Sequence, residues 1–559
     1  MTARTYSPDA HLNAFAEWIV SNGGFVRESL TFTAPDSEFG SQVRTTSEIP
    51  PNSRLLTCPH TLAIDYTKVK AHFSPAFVDA TTPHAALCMF LVHQWLRGEK
   101  SFWWPYLRVL PREFDTPLYF EDDDLMWLQG CNLDAKEAEE RKRTWMEELG
   151  AAIAALKKDG VDTAGYTWEL FLWAATVFSS RSFSGKLMTW TDDLTMASMG
   201  EPDSLPALFP LIDSVNHQPL TKITWQPGDH TLSAVSGETI CAGGEVCNNY
   251  GPKSNEELLM GYGFTLSSNP FDTVVLRINP PLTPEQQAIH SLHPPSSTPG
   301  IYHLSPHSPT YPPALTHLFT ILTATPTELP RLNLSTTVSA TLRNTLAAHS
   351  HLLIALRQKL SAFPREPALP PPTTAKRRAA KTYRDAQLAI LVGTITECED
   401  AVQTMLAEHP AATTLSSILS TNSTFTAAIE RCFGTDDEAE LERAEQADIV
   451  FTLYICWQYI LYLRHVPTQS AEWKTWIARL VSEAKYGATD EAETVAEAEE
   501  FVRELYEGVF PAAAEAAPDV FAGGEWTVEV LSWGMRVFGG EGVGVWVCED
   551  VEVFVVCVE

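Results

Sequence analysis

Apolar positions recur at helical spacing through four stretches of the first 180 residues. In residues 11–20, "HLNAFAEWIV", Leu12, Phe15, Trp18 and Ile19 fall on one side of a 3.6-residue repeat. Residues 84–96, "HAALCMFLVHQWL", read as an amphipathic or buried helix, and residues 135–158, "AKEAEERKRTWMEELGAAIAALKK", as a long one with mixed charges. In "TWELFLWAATVFSSRSF", Leu170, Trp173, Ala174 and Val177 share one face. Between these helices lies an aromatic, proline-punctuated stretch, "SFWWPYLRVLPREFDTPLYF" (101–120).

Strand signals flank this helical block. "FVRESLTFTA" and "RLLTCP" predict short strands before it. After it, "KITWQ" and "TLSAV" predict a hairpin across "PGDH", and "GETICAGGEVCNNYG" predicts a further strand. Ser254 and Glu257 then form the S-x-x-E capping box of a helix that Gly263 can end. From residue 273 a Pro-, Ser- and His-rich stretch reads as linker; helices dominate about 313–510, broken by a second linker, "FPREPALPPPTTAKRR". The end of the chain, "VGVWVCEDVEVFVVCVE", is β-rich. A helical insertion inside a β domain is the simplest account of this order. It predicts an α+β protein divided as 1–272 (insertion about 70–180), a helical domain 273–510 and a β-rich tail 511–559.

Composition narrows the class. Hydrophobic residues make up 45% and charged residues 19% of the 559-residue chain, an ordinary globular balance with material for sizeable cores. The net charge of −31 would repel nucleic acid from most of the surface and would attract and steer a basic protein. None of the ten cysteines forms a C-x-x-C pair, and none shows zinc-ligand spacing, so no metal is expected; reduced, buried thiols of an intracellular protein are. No apolar run is long enough to span a membrane, and "MTARTYSPDAHLNAF" lacks the pattern of a signal peptide. The expected location is cytoplasmic or nuclear. Oligomeric state is not legible.

The candidate chemistry starts at "ALFPLIDSVNHQP" (207–219), where Asp213, Asn216 and His217 interrupt an apolar run. Taken alone, D-x-x-N-H is a weak signal that reads first as a capped turn, since Asx and Ser side chains bond nearby backbone. Tyr250 follows in a glycine-flanked loop ahead of the capped helix, and Tyr262 lies at that helix's far end. Arg181 closes the apolar helix upstream, where a cation also suits a helix C-terminus.

"SRSF", "LIDSVNH" and "YGPKSNEELLMGYGF", in that order and spacing, resemble the SET-domain protein methyltransferases. The branch typified by the Rubisco large-subunit methyltransferase is the most similar, with a helical insert in the SET domain and a helical substrate-binding-type domain after it. "FWWPYLRVLPREFDTPLYFEDDDLMWLQG" and "TYRDAQLAIL" fit that branch too, and length, Pro-rich insertions and tail are most like fungal members, several of which methylate ribosomal proteins.

The resemblance implies a β-rich SET fold with a knot-like C-terminus and transfer of a methyl group from S-adenosylmethionine to a lysine of a basic protein, ribosomal proteins among the candidates. It implies Tyr250 beside the transferred methyl and Tyr262 shaping the lysine channel. Arg181, Asp213, Asn216 and His217 would lie against the cofactor, though Arg181 as a helix-end cation and Tyr262 as core remain open. Phe39 and Gly40 match half of the family's Gly-x-Gly cofactor loop, Glu38 standing where the first glycine would be. An amine attacks a sulfonium methyl only when neutral, and free lysine titrates near 10.4, so a narrow apolar channel beside a cation is the required environment. Two alternatives remain open: a catalytically silent SET-type protein-binding module, and a protein-histidine methyltransferase.

Overall fold

The computed structural model describes residues 5–36, 40–188, 205–292, 298–333, 340–365, 368–409, 411–467, 469–482, 492–548 and 551–558. The chain divides into two compact units: Met1–Thr273 with Ala362–Ala389, and Val274–Ser361 with Ile390–Glu559.

The first unit is built on a four-stranded antiparallel sheet. Its order is β1 (Phe25–Val26), β4 (Ser53–Pro59), β8 (Thr231–Ser236) and β7 (Ile223–Gly228). Leu232, Ala234 and Ser236 point inward while Thr231, Ser233 and Val235 are half-buried, the alternation expected of a strand with one face on the core. The "PGDH" turn is where the sequence places it, with His230 at a φ of +54°. Two short ribbons complete the β part: β2 (Leu30–Asp36) with β3 (Gly40–Thr45), and β5 (Ser182–Ser184) with β6 (Pro206–Leu208).

The helical insertion lies between β4 and β5. Helix Pro83–Leu96 buries every residue from Ala85 to Val92, and Trp168–Arg181 every residue from Phe171 to Phe178. Over those spans both are almost wholly apolar because both are enclosed there. They pack on each other, and Ala135–Lys158 covers them with the one face that carries Ala138, Trp145, Leu149, Ala152 and Leu156.

The structure corrects two expectations here. Residues 237–251 do not form a strand; they make isolated bridges at Ile240, Glu245 and Asn248. The reason is the turn at Gly243, which takes a φ of +77° and interrupts any continuous ladder. The proline-rich stretch read as a linker within the helical domain instead returns to the first unit. Trp127 donates its indole N–H to the Pro370 carbonyl (3.1 Å), Arg377 pairs with Asp124 (2.8 Å), and the Tyr383 hydroxyl joins Leu133 N–H to Glu256. Gly130, at a φ of +85°, packs so closely on Ala362 and Phe363 that a Cβ would come within 2.8 Å of their backbone.

The second unit is mainly helical. Its largest core joins Phe425, Phe451, Tyr454, Trp476, Phe521 and Trp526. A ribbon of β9 (Val274–Arg277) and β10 (Ile301–Leu304) opens it. A sheet of order β11 (Ala412–Thr414), β13 (Val551–Cys557), β12 (Gly542–Cys548) closes it. The tail is β-rich only in that hairpin, since Val528–Glu541 ahead of it is a helix capped by Thr527. Its amphipathic spacing buries Leu531, Gly534 and Val537 on the core and outweighs the β propensity of its valines. Among the described residues no helix is long and apolar enough to cross a membrane.

Glu328 is a heavily bonded carboxylate of the second unit. It accepts from Thr325 N–H (2.9 Å), the Thr325 and Thr341 hydroxyls and Arg343 Nε (3.0 Å). Burial alone would raise its pKa; the Arg343, Thr341 and Thr325 bonds overcome that and bring it to about 2. A depressed folded-state pKa adds stability above the unfolded value near 4.5 that is lost as pH falls toward 2. Glu328→Gln is therefore expected to lower stability at pH 7 by about 2–3 kcal/mol. It should also flatten the loss of stability between pH 4.5 and 2, measured by denaturant unfolding across that range. An unchanged acid slope would refute this account of the group.

Candidate active site

The segment that opened the chemical question lies directly after β6. Leu211 takes a φ of +83°, a conformation that strains an L side chain by roughly 1–2 kcal/mol. It is held because Leu211 is fully buried and because the N–H groups of Ile212 and Asp213 both donate to the Phe209 carbonyl (3.1 and 3.2 Å). The chain then makes one 3-10 turn, Ile212–Ser214, which turns the Asp213 side chain inward.

Asp213 is met there by two side chains from distant elements. The Tyr106 hydroxyl, from the insertion, donates to Oδ2 at 2.6 Å. Arg181, from the last turn of the Trp168–Arg181 helix, donates Nη1 to the Asp213 carbonyl (2.9 Å) and lies 3.9 Å from Oδ2. Burial raises the Asp213 pKa above the ordinary carboxylate value, and Arg181 and Tyr106 oppose the rise. Oδ1 is buried with no hydrogen-bond partner among the described residues.

Three residues on, Asn216 donates its amide to the Ser41 carbonyl (3.1 Å) and to Glu245 (2.8 Å). This ties the segment to β3 and to the loop before Tyr250. His217 and Asn248 form a parallel bridge, reinforced by Gln218 N–H to the Asn248 carbonyl (2.9 Å). His217 Nδ1 accepts the Tyr250 N–H (3.1 Å), so the ring proton sits on Nε2, which is buried without an acceptor among the described residues. Burial lowers the His217 pKa, and the ring is neutral.

Tyr250 is the middle ring of a ladder. Its centroid lies 4.9 Å from His217 and 4.9 Å from Tyr262, with interplanar angles of 17° and 23°. Its hydroxyl donates to the Val215 carbonyl at 3.0 Å, and burial holds the phenol well above its usual pKa. Tyr262 reaches the ladder because Gly263, left-handed at a φ of +84°, ends its helix there, while the reciprocal Ser254–Glu257 box starts it.

Two cavities open on this assembly. One, of about 450 Å³, is lined by Ser41, Gln42, Val43, Ser214, Asn216, Arg181 and by residues of the insertion and the N-terminal helix, including Arg108 and His11. The other, of about 360 Å³, is lined by Phe183, Trp225, Tyr250, Tyr262, Asp213 and Arg181. Arg181 is common to both. The structure thus gathers Arg181, Asp213, Asn216, His217, Tyr250 and Tyr262. Gly40 heads β3, next to the Ser41 carbonyl that Asn216 bonds; Phe39 lies outside the described residues. Sequence reasoning missed Tyr106, Glu245 and Asn248. The first lay in a stretch noted only as aromatic, and its partner is 107 residues away. No group of three or more potential metal ligands occurs among the described residues.

No family model matches the chain. The ribosomal lysine N-methyltransferase set10 of Schizosaccharomyces pombe is 32% identical over 484 residues, covering 78% of this chain and 83% of that protein. Ribosomal lysine N-methyltransferase 1 of Saccharomyces cerevisiae is 27% identical over 210 residues, 32% of this chain and 34% of its own length. Among solved structures, Rubisco LSMT bound to AdoMet superposes with a TM-score of 0.54 at 18% identity, covering 71% of this chain and 93% of that one. The structural likeness shows the fold.

Asn248 anchors the loop that presents Tyr250. It is 1% exposed, and its side-chain oxygen accepts from the Trp225 indole (3.1 Å) and from Asn249 N–H (2.8 Å). Asn248→Ala strands both donors, and the expected loss is about 2 kcal/mol of unfolding free energy. Chemical denaturation reads this directly; a loss below 0.5 kcal/mol would show that water replaces both bonds.

Proposed function

This chain belongs to the SET-domain protein-lysine N-methyltransferases of the Rubisco large-subunit methyltransferase type, and on that premise we propose that its two cavities hold cofactor and substrate on either side of Arg181. The shared Arg181 wall is the observation that carries this reading. The larger cavity receives S-adenosylmethionine. Its volume of about 450 Å³ lies within the range of cofactor sites. The lining suits that molecule: the fixed Arg181 cation for a carboxylate, the polar edge of β3 at Ser41 for an adenosyl group, and Asn216 beside it. When bound, the cofactor supplies a methyl group on a sulfonium that a neutral amine displaces.

The smaller cavity receives the lysine side chain. Its walls of Phe183, Trp225, Tyr250 and Tyr262 are aromatic, so they disfavour the ammonium by burial and guide the alkyl stem. Burial keeps the Tyr250 phenol neutral, and its bond to the Val215 carbonyl fixes the hydroxyl so that its oxygen presents lone pairs at a constant position. Held lysine geometry supplies the alignment that a direct displacement needs. The stacked His217 keeps the Tyr250 ring from rotating and remains uncharged beside a cationic cofactor.

The substrate is a basic protein, and a ribosomal protein is the class we favour. A relative of which 83% of the length is matched is named for that substrate, and a net charge of −31 suits a lysine-rich partner. Such a substrate places the work in the cytoplasm or nucleus.

Methyl transfer from labelled S-adenosylmethionine into extract of a strain lacking the protein tests the reading. Wild type should label one or a few bands that hydrolyse to methyl-lysine. Tyr250→Phe should fold and lower the rate by about 10²-fold or more. Asn216→Ala should weaken cofactor binding. Methyl-histidine in the hydrolysate would move the substrate class; absence of label from folded wild type would leave a binding module.

A further inference from the structure

Tyr106 touches neither proposed ligand, yet it is bound to the centre of the site. It is 1% exposed and absent from the lining of both cavities. Its ring packs on Phe15 of the Ala10–Ser21 helix, with centroids 5.9 Å apart, and its backbone belongs to the short Trp104–Leu107 helix of the insertion. Its one described side-chain hydrogen bond runs to Asp213 Oδ2, at 2.6 Å. Asp213 in turn holds Arg181 through its carbonyl and stands opposite it through Oδ2.

We propose that Tyr106 is a positioning residue for the methyl transfer: its hydroxyl holds the Asp213 carboxylate as the counter-ion of Arg181, and so fixes the guanidinium that both cavities share. The inference rests on the assignment of those cavities to cofactor and substrate. A neutral aromatic of the same shape would fill the same space, so packing does not explain the hydroxyl. A buried carboxylate does: with few donors its anion is expensive, and a short phenol bond is one of the few ways to retain it. The groups facing Asp213 are Arg181, Tyr106, Cys58 of β4 and Tyr250. Burial pushes the Cys58 thiol and the Tyr250 and Tyr106 phenols upward, so these stay neutral and Arg181 is the charge of opposite sign.

The sign of the pH effect follows. Asp213 already titrates above the ordinary carboxylate value. Protonation as pH falls leaves Arg181 without its counter-ion, held by the Asp213 carbonyl alone and less firmly aimed at the cofactor carboxylate. Removing the phenol raises the Asp213 pKa further, and the acid limb of activity moves to higher pH.

The test compares wild type, Tyr106→Phe, Asp213→Asn and the double variant. It reads kcat/KM against pH and the dissociation constant of S-adenosylmethionine. Tyr106→Phe is expected to weaken cofactor binding about tenfold and to move the acid limb upward by half a pH unit or more, an effect absent when it is added to Asp213→Asn. A purely structural role would lower activity without moving the limb, and that result, or a profile identical to wild type, overturns the proposal. If Tyr106→Phe does not fold, 3-fluorotyrosine at this position decides. The stronger donor should move the limb to lower pH, and an unmoved limb overturns the idea. Wild type that neither binds nor uses the cofactor sinks this proposal together with the reading it rests on; an active wild type with an indifferent Tyr106 sinks this proposal alone.

Discussion

The site depends on one buried carboxylate. Asp213 has left water, and an isolated carboxylate in such a place is costly unless its oxygens are bonded and its charge is met. Meeting that requirement brings together three parts of the chain: the turn after β6, the end of the Trp168–Arg181 helix, and Tyr106 of the insertion. Once they are joined, Arg181 stands where two cavities meet. The insertion is thus a wall of the site, not an ornament on a β domain.

A second constraint works through rings. His217, Tyr250 and Tyr262 come from a turn, a loop and a helix end, and each has its own backbone anchor: the Asn248 bridge, the Val215 carbonyl and the Gly263 cap. Stacking then fixes the ring of a phenol from both faces. Neutral rings of that kind add no charge of their own beside a cationic cofactor and a neutral amine, and leave Arg181 and its counter-ion Asp213 as the charged pair of the wall.

Much of this was legible in the sequence, for physical reasons. The enclosed helices announced themselves through apolar runs, and the Ser254–Glu257 box and Gly263 fixed both ends of the helix that delivers Tyr262. The order of "SRSF", "LIDSVNH" and "YGPKSNEELLMGYGF" led to six residues that the structure gathers in one place. What was not legible depended on long-range contact. Nothing local in "FWWPYL" marks Tyr106 as the partner of a residue 107 positions on. The loop 237–251 read as a strand because its residues suit one, whereas the Gly243 turn decides otherwise. The proline-rich stretch looked like a spacer, since proline and polar residues carry no sign of the carbonyl that accepts from Trp127.

That last stretch has a consequence for synthesis. The first unit is discontinuous: residues 362–389 complete it, after the intervening segment 274–361 has been made. At roughly 5–20 residues per second, a ribosome needs on the order of ten seconds to pass from Thr273 to Ala389. Through that interval the indole of Trp127, the carboxylate of Asp124 and the close face at Gly130 await their partners. The nascent first unit is open on that side until its closing segment emerges, which sets a window for chaperones. A chain cut after Thr273 would keep every residue of the proposed chemistry and remain in that open state for good.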